Sequence, residues 1–415
     1  MTVTHARAAE PGNAGCPELA LDQDLELLTG PDATSLLRAA LQPSGGRLLS
    51  IRVTQVDPQP GRGCTAGYQA RVRWPDGGTS TERFAATTGH TPDGTLVVED
   101  GSTRVGLWRF PHDPRLPGLP AACDPAAVGR LLDEFGYGSG PVQLRVRGYR
   151  PGRRAVIEAT TSRARLFLKI VRPGRVQKLH QRHRLLTNAG VPAPPSLGHT
   201  LDGLLVLQAL PGRTLRHILQ HGGTNPPPAR QILALLDRLP DELADGPPRA
   251  SWPDQAIHYA AILAAALPDR AGQATDLAEQ LAAQQAPGPV TAVHGDLYEN
   301  QLLITRDRIT GLLDVDTAGP GQHADDLACL LGHLSILAHL DRQNAAAINR
   351  VGAAYLAEFE RHADPADLRR RTAAVVLSLA TGPHRVQQTG WPAATRNRLD
   401  LAAAWLDSAS TLNRP

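Results

Sequence analysis

Lysine is almost absent from this 415-residue chain: of 43 basic residues only Lys169 and Lys178 are lysine, and the rest are arginine. Such a bias is what a high-GC genome produces, and it makes the two surviving lysines worth inspecting. An ammonium is a compact point charge that a planar guanidinium does not always replace. Cysteine is scarce too. Cys16, Cys64, Cys123 and Cys329 are scattered with no CxxC pair, which argues against a zinc site and a disulfide scaffold and fits a reducing cytosol. No apolar run is longer than Ala260–Leu267, far short of the ~18–20 residues of a membrane span. The N-terminal MTVTHARAAEPGNAG lacks an apolar h-region, so nothing reads as a secretory signal and a cytoplasmic location is expected. A net charge of +3 is too weak a bias to call for nucleic acid or a membrane surface as partner.

What is present is an ordinary globular mixture, with 41% hydrophobic and 20% charged residues. The length suggests two or three domains. Charge divides along the chain: residues 1–212 carry a net +7 and residues 213–415 a net −4. Different ligands for the two halves, or accidental surface composition, would each account for that.

The pattern of elements gives four segments. Residues 1–20 are small, polar and Pro/Gly-rich, and read as a disordered tail. Residues 21–120 read as an α+β cap, with a helix from Pro31 and then strands at Leu48–Val56, Tyr68–Trp74, Thr79–Thr87, Leu96–Glu99 and Arg104–Phe110. Pro75-Asp76-Gly77-Gly78 and Asp100-Gly101 supply hairpin turns. Residues 121–212 hold a helix (Asp124–Phe135), three short strands (Val142–Tyr149, Ala155–Thr160, Leu166–Val171), a helix stopped by Gly190 and Pro192, and a strand at Leu204–Gln208. Residues 213–415 are mostly helical, with a strand-loop-strand at Val290–Asp316.

Chemistry concentrates in that last segment. The apolar Thr291-Ala292-Val293 leads into His294-Gly295-Asp296-Leu297-Tyr298-Glu299-Asn300-Gln301-Leu302-Leu303-Ile304, and the strand Ile309–Leu313 ends at Asp314-Val315-Asp316. A hairpin would bring Asp296 and the amides at 300–301 close to Asp314. One carboxylate can then accept a hydroxyl proton while a second carboxylate and an amide carbonyl offer hard oxygens to Mg²⁺. Phosphoryl transfer needs this division of labour, being mostly positioning and charge neutralisation. Lys169 lies inside the apolar strand Leu166–Val171, where a buried ammonium is costly unless it meets an anion; an edge-strand lysine pointing to water is the plain alternative.

These residues resemble the aminoglycoside phosphotransferase and choline kinase superfamily. The resemblance runs from about Val142 to the C-terminus and rests on His294-Gly295-Asp296-Leu297, on Leu312-Leu313-Asp314, and on Asp326-Leu327-Ala328. It implies a bilobal protein-kinase-like fold of class α+β, with a small antiparallel-sheet N-lobe and a large helical C-lobe, the cap being an N-terminal addition. By that resemblance Asp296 is the catalytic base, Asp314 the main Mg²⁺ ligand, and His294 and Asp326 brace the loop. Most members have Asn five residues after the loop aspartate, whereas this chain has Gln301, the residue directly before Leu302-Leu303. That departure is similar to the maltokinase and bacterial glucosamine kinase branch, which also carries an N-terminal cap.

The same resemblance places Lys169 on the nucleotide α- and β-phosphates. It makes the backbone of Gln208, Ala209 and Leu210 an adenine-binding hinge. The strongly basic Gly148–Arg154 turn between two strands matches no Walker A or GxGxxG pattern; by its charge it would cover phosphates with backbone N–H groups and Arg153, and a plain basic hairpin would read the same way. The usual Glu partner of the lysine is missing, since no acid occurs between Ala159 and Leu201. Gln181, His183 and Glu158 are the alternatives. For the acceptor, Tyr298, Glu299, Asp316, Asp325, Gln387 and Trp391 are candidates, Trp391 by stacking on a sugar face. The implied activity is Mg²⁺- and ATP-dependent transfer to a hydroxyl of a sugar, with an amino sugar such as glucosamine suiting the acidic half. The rivals are an antibiotic phosphotransferase of the same fold and a silent nucleotide-binding pseudokinase. Oligomeric state is not encoded in any of these patterns.

Overall fold

The computed structural model describes residues 2–5, 21–100, 103–137, 140–223, 225–283 and 288–412. Most of the expected tail, residues 6–20, and the glycine of the expected Asp100-Gly101 turn lie outside these. The chain divides into two compact units. One comprises Met1–Gln177, Leu197–Leu207 and Pro383–Trp391; the other comprises Lys178–Ser196, Gln208–Gly382 and Pro392–Pro415. The class is mixed α+β, as expected.

The first unit is built on two antiparallel sheets. The larger has six strands in the order Thr2–His5, Leu96–Asp100, Thr103–Arg109, Thr79–Thr87, Gly63–Arg73 and Arg47–Gln59. Its central hairpin closes as the sequence predicts: Trp74 N–H donates to the Gly78 carbonyl at 2.8 Å, with Gly77 at φ +85°. The helices Leu21–Thr29 and Asp32–Leu41 lay Leu25, Leu28, Leu36 and Leu37 into its core, and Tyr68, almost fully buried, donates its hydroxyl to the Leu28 carbonyl at 2.8 Å. Thr2–His5, part of the expected disordered tail, pairs with Leu96–Glu99 instead. Thr2, Val3 and Thr4 carry the β-branched side chains that strands favour.

The second sheet has the order Ser196–His199, Leu204–Gln208, Arg165–Val171, Arg154–Thr160 and Gln143–Arg150. The helix Pro125–Glu134 packs on it, capped by Asp124, whose carboxylate accepts from Ala126 N–H at 2.9 Å. Residues 21–120 share this first unit with 121–177 and 197–207. The reason is the connector: Leu116 and Leu119 are fully buried in the core of the second sheet, and Asp113 accepts from Tyr149 Oη at 2.8 Å and from Gly152 N–H at 2.7 Å.

The second unit is helical around one large apolar core that includes Leu215, Ile232, Leu302, Leu327, Leu330, Phe359 and Val375. Two small sheets are inserted in it. Leu302–Thr305 pairs with Arg308–Leu312 and with Arg213–Thr214, and Thr291–Val293 pairs with Gly319–Gly321. The single hairpin expected at 290–316 is therefore two nested pairings. Gly319-Pro320-Gly321 has neither the side chains nor the donor that mark a strand in sequence, so this outer pairing was not legible there.

Candidate active site

The nested pairings converge on one loop. Thr291–Val293 delivers His294, Gly295 and Asp296, and Arg308–Leu312 delivers Leu313 and Asp314. Leu313 ties the parts together: its N–H donates to the Gln301 carbonyl at 2.8 Å, and its own carbonyl lies 2.8 Å from His294 Nε2. Asp296 N–H donates to His294 Nδ1 at 3.3 Å. Nδ1 must therefore be the acceptor, which leaves the proton on Nε2 for Leu313. The imidazole is a spacer that fixes the Asp296 turn beside the segment leading to Asp314.

Asp326 sits beneath this loop, fully buried near the start of the helix His323–Leu340. Its two carboxylate oxygens accept from His294 N–H and Gly295 N–H, each at 2.7 Å. Burial pushes its carboxyl above the usual range, against the pull of these two N–H groups. Two orphan backbone donors at the loop are thus satisfied by one side chain.

Gly295 is required sterically. Its φ is +81°, and an added Cβ would run into the Arg249 guanidinium and stand 2.7 Å from the Thr317 carbonyl. The guanidinium is there because Arg249 donates to the Gly295 carbonyl. Gly295→Ala is expected to cost about 1–3 kcal/mol through this backbone strain and to lower turnover further by moving Asp296. A melting curve beside a kcat measurement checks both.

The Asp296 carboxylate is half-buried. Cys329 Sγ, fully buried, lies 3.8 Å from Asp296 Oδ1, and burial with the surrounding carboxylates holds the thiol protonated, well above its ordinary pKa. Asp296, Cys329 and His333 each place one polar atom within 4.8 Å of the others. Tyr298 stacks on His333 with ring centroids 4.2 Å apart. Burial and the nearby Asp296 push the Tyr298 phenol up to about 12, so it is a neutral hydrogen-bond donor. Sequence reasoning missed Cys329, His333 and Arg249. The first two were findable: positions 326, 329 and 333 share one helix face, and Asp326 marks that face.

Several expected contacts fall elsewhere. Glu299, expected on the acceptor side, is fully buried: Oε1 is 2.6 Å from Arg216 Nη2, Oε2 has no hydrogen-bond partner among the described residues, and burial pushes the carboxyl up despite the arginine. It braces the loop from inside. Asp325 is committed to Arg371 at 2.8 Å. Asp316 is half-buried, and its carbonyl accepts from Arg182.

In the first unit, Trp391 packs edge-on against His384 at 4.6 Å, and Gln387 spends its amide on the His384 carbonyl at 2.7 Å. Lys169 lies in the middle of the strand Arg165–Val171, opposite Val156, and is only 6% exposed. Glu158 is taken by Arg147, whose Nε donates to Oε2 at 2.5 Å. Arg153, expected on phosphates, is ion-paired with Asp57 at 2.6 Å. In the second unit, His183 Nδ1 is held by the Pro194 carbonyl at 2.7 Å. Gln208 N–H donates to the Pro195 carbonyl at 2.9 Å, and Gln208, Ala209 and Leu210 are all partly exposed. Lys178 is on the surface.

The loop thus leaves the Asp296 carboxylate partly exposed, and the Leu313–Gln301 backbone hydrogen bond holds the segment leading to Asp314 against it. The model of the phosphotransferase enzyme family (APH) matches residues 146–373, more than half of the chain, and the chain belongs to that family. No curated protein matches the chain. Among solved structures, a thermostable mutant of the aminoglycoside phosphotransferase APH(4)-Ia is 18% identical, with 67% of this chain and 97% of that one covered and a TM-score of 0.47. The macrolide 2'-phosphotransferase MphH from Brachybacterium faecium is also 18% identical, with 66% and 97% covered and a TM-score of 0.38. The same aminoglycoside enzyme has been solved in a ternary complex with ADP and hygromycin B, at 16% identity, 67% and 98% coverage and a TM-score of 0.46. Among the described residues no helix is long and apolar enough to cross a membrane.

Proposed function

We propose that the protein transfers the γ-phosphate of Mg·ATP to a hydroxyl of a sugar or amino sugar. The observation that carries the reading is the braced loop. Asp326 pins two of its backbone donors, His294 spaces it from Leu313, and Asp296 is left partly exposed beside Asp314. In this reading Asp296 accepts the proton of the attacking hydroxyl and aligns its oxygen. Asp314 and the Gln301 amide oxygen would hold the magnesium ion. That donor set is hard oxygen throughout, and the Leu313–Gln301 hydrogen bond of 2.8 Å draws the two backbones together. The ion, when bound, neutralises charge on the phosphates.

Lys169 supplies a cation to the nucleotide phosphates. An ammonium 6% exposed inside an apolar strand has paid most of its desolvation cost and gains most from an anion. Because the Gln208 N–H is already donated to Pro195, the adenine contacts pass to Ala209 and Leu210.

The acceptor reading rests on acidic character around Asp296 and on the neutral Tyr298 phenol stacked on His333, a flat surface with a donor at its edge that suits a hydroxylated ring. An aminoglycoside is itself a polyhydroxylated amine, so an antibiotic acceptor remains the competing reading on the same residues. An ADP-release assay with Mg·ATP across glucosamine, glucose, maltose, choline and several aminoglycosides separates them. Turnover on a monosaccharide supports the sugar reading. Turnover on aminoglycosides alone, with resistance conferred on a sensitive host, replaces it. Nucleotide binding with no turnover on any acceptor favours a silent protein. With an acceptor in hand, Lys169→Met is expected to raise the KM for ATP about tenfold or more and leave the acceptor KM unchanged, an ion pair with phosphate being worth roughly 1.5–3 kcal/mol.

A further inference from the structure

The face of the six-stranded sheet that the catalytic reading does not use carries an ordered row of polar side chains. Register pairs Arg52 with Gln69 and Gln69 with Arg83 across three neighbouring strands, so the three side chains stand side by side on one face. Opposite them runs the strand Gln143–Arg150. Between the two lies a cavity of about 400 Å³ whose lining includes Arg52, Gln55, Gln69, Arg83, Arg147 and Tyr149, and no carboxylate.

The charges of this cavity are unevenly matched. Arg147 is neutralised by the buried Glu158. Among the described residues Arg52 donates only to the side-chain oxygen of Gln69, at 2.7 Å. Arg83 stands over the Phe110 ring at 5.6 Å. Neither Arg52 nor Arg83 has an ion pair with a carboxylate among the described residues. Two guanidiniums are thus held in place by neutral groups, and both present their charge to the same cavity.

We propose that this cavity binds a small organic phosphate: the Arg52 and Arg83 forks take the phosphate, and the Gln55 and Gln69 amides with the Thr54 hydroxyl take a polyhydroxylated body. Guanidinium forks match phosphate oxygens two at a time, and amides with a hydroxyl supply both donors and acceptors to sugar-type hydroxyls. The volume suits a ligand of that size. The far wall also leads to the nucleotide side of the first unit. Tyr149 receives a hydrogen bond from Trp108 Nε1 at 2.9 Å and donates at 2.8 Å to Asp113 Oδ2, which in turn holds Gly152 N–H at 2.7 Å in the basic turn. A ligand seated against Tyr149 therefore bears on that turn through two hydrogen bonds.

The site stands independently of the roles given to Asp296 and Asp314, and it is tested without turnover. Calorimetric titration of the full chain, free of nucleotide, uses a hexose 6-phosphate, inorganic phosphate and the unphosphorylated hexose. The hexose phosphate is expected to bind, and the hexose to bind at least tenfold more weakly. The double variant Arg52→Ala/Arg83→Ala, at exposed positions, is expected to keep the wild-type melting temperature and lose binding tenfold or more. Arg83→Lys, which keeps the charge and loses the fork, should fall between. Lys169→Met should bind as the wild type does. Equal affinity in the double variant overturns the proposal, and so does loss of binding in Lys169→Met, which would place the phosphate on the nucleotide side. Inorganic phosphate binding as tightly as the hexose phosphate overturns the assignment of the amides and Thr54 to a polyol.

Discussion

Replacing Asp296 by Asn is expected to lower kcat by roughly 10²–10⁴-fold, the range for losing a positioned general base, with little change in melting temperature. Asn keeps the volume and one oxygen, so the contact with Cys329 Sγ, now 3.8 Å from Oδ1, survives in shape. The backbone contacts that hold the loop come from other residues: Asp326 on the His294 and Gly295 N–H groups, and His294 on Leu313. What is lost is the charge that, in the proposed function, takes up the hydroxyl proton. Asp314→Asn is expected to be as inactive under the same conditions but to differ in one respect. A metal-ligand loss is offset in part by raising magnesium, whereas a base loss is not, so a magnesium titration of the two variants tells the roles apart. Turnover of a folded Asp296→Asn within a few-fold of wild type would remove Asp296 from the base role.

The parts of this site that sequence exposed are those whose signal is local. His294 to Asp296 follow an apolar strand directly, Asp314 ends another, and Asp326 lies in Asp326-Leu327-Ala328 on the helix that underpins the loop. The hairpin turn at Asp76-Gly77 and the strands around Lys169 were legible for the same reason: turn residues and β-branched runs act within a few positions. The misassigned or missed residues depend on which distant elements meet. Glu299 looks like any loop carboxylate until Arg216 is found 2.6 Å away. Arg249 has no marker in its own segment, and its function follows only from the bend at Gly295. Gly319–Gly321 lacks every strand signal yet closes the outer pairing. Arg153 looked like a phosphate ligand because the partner that occupies it, Asp57, is nearly a hundred positions earlier.

Arg371 shows how much of the site's support lies in such a pairing. It is 3% exposed and bridges two carboxylates, with Nη1 2.8 Å from Asp325 Oδ1 and Nε 2.7 Å from Asp367 Oδ2. Its remaining amino group reaches Gln322 Oε1 at 2.5 Å. Arg371→Ala would leave Asp325, 4% exposed, as a buried charge without its counter-ion, and removing one partner of such a pair costs about 3–5 kcal/mol. The melting temperature is expected to fall by several degrees or more, the largest stability loss expected here from a single side chain. The loss should depend on pH with a definite sign. Burial already pushes the Asp325 carboxyl above its ordinary value while Arg371 pulls it back; without the arginine it rises further. A carboxyl raised in the folded state binds more protons there than in the unfolded chain, so stability falls as pH rises through the folded value and recovers on acidification toward the ordinary carboxylate range. The gap in melting temperature between Arg371→Ala and wild type should therefore narrow as pH is lowered from 7 toward about 5. A gap that stays constant across that range would mean that packing, not the unpaired Asp325, sets the cost. Because Asp325 precedes the Asp326 that holds the His294–Asp296 loop, the proposed function implies that the variant also loses turnover at temperatures where it is still folded, which a kcat measurement well below its midpoint checks.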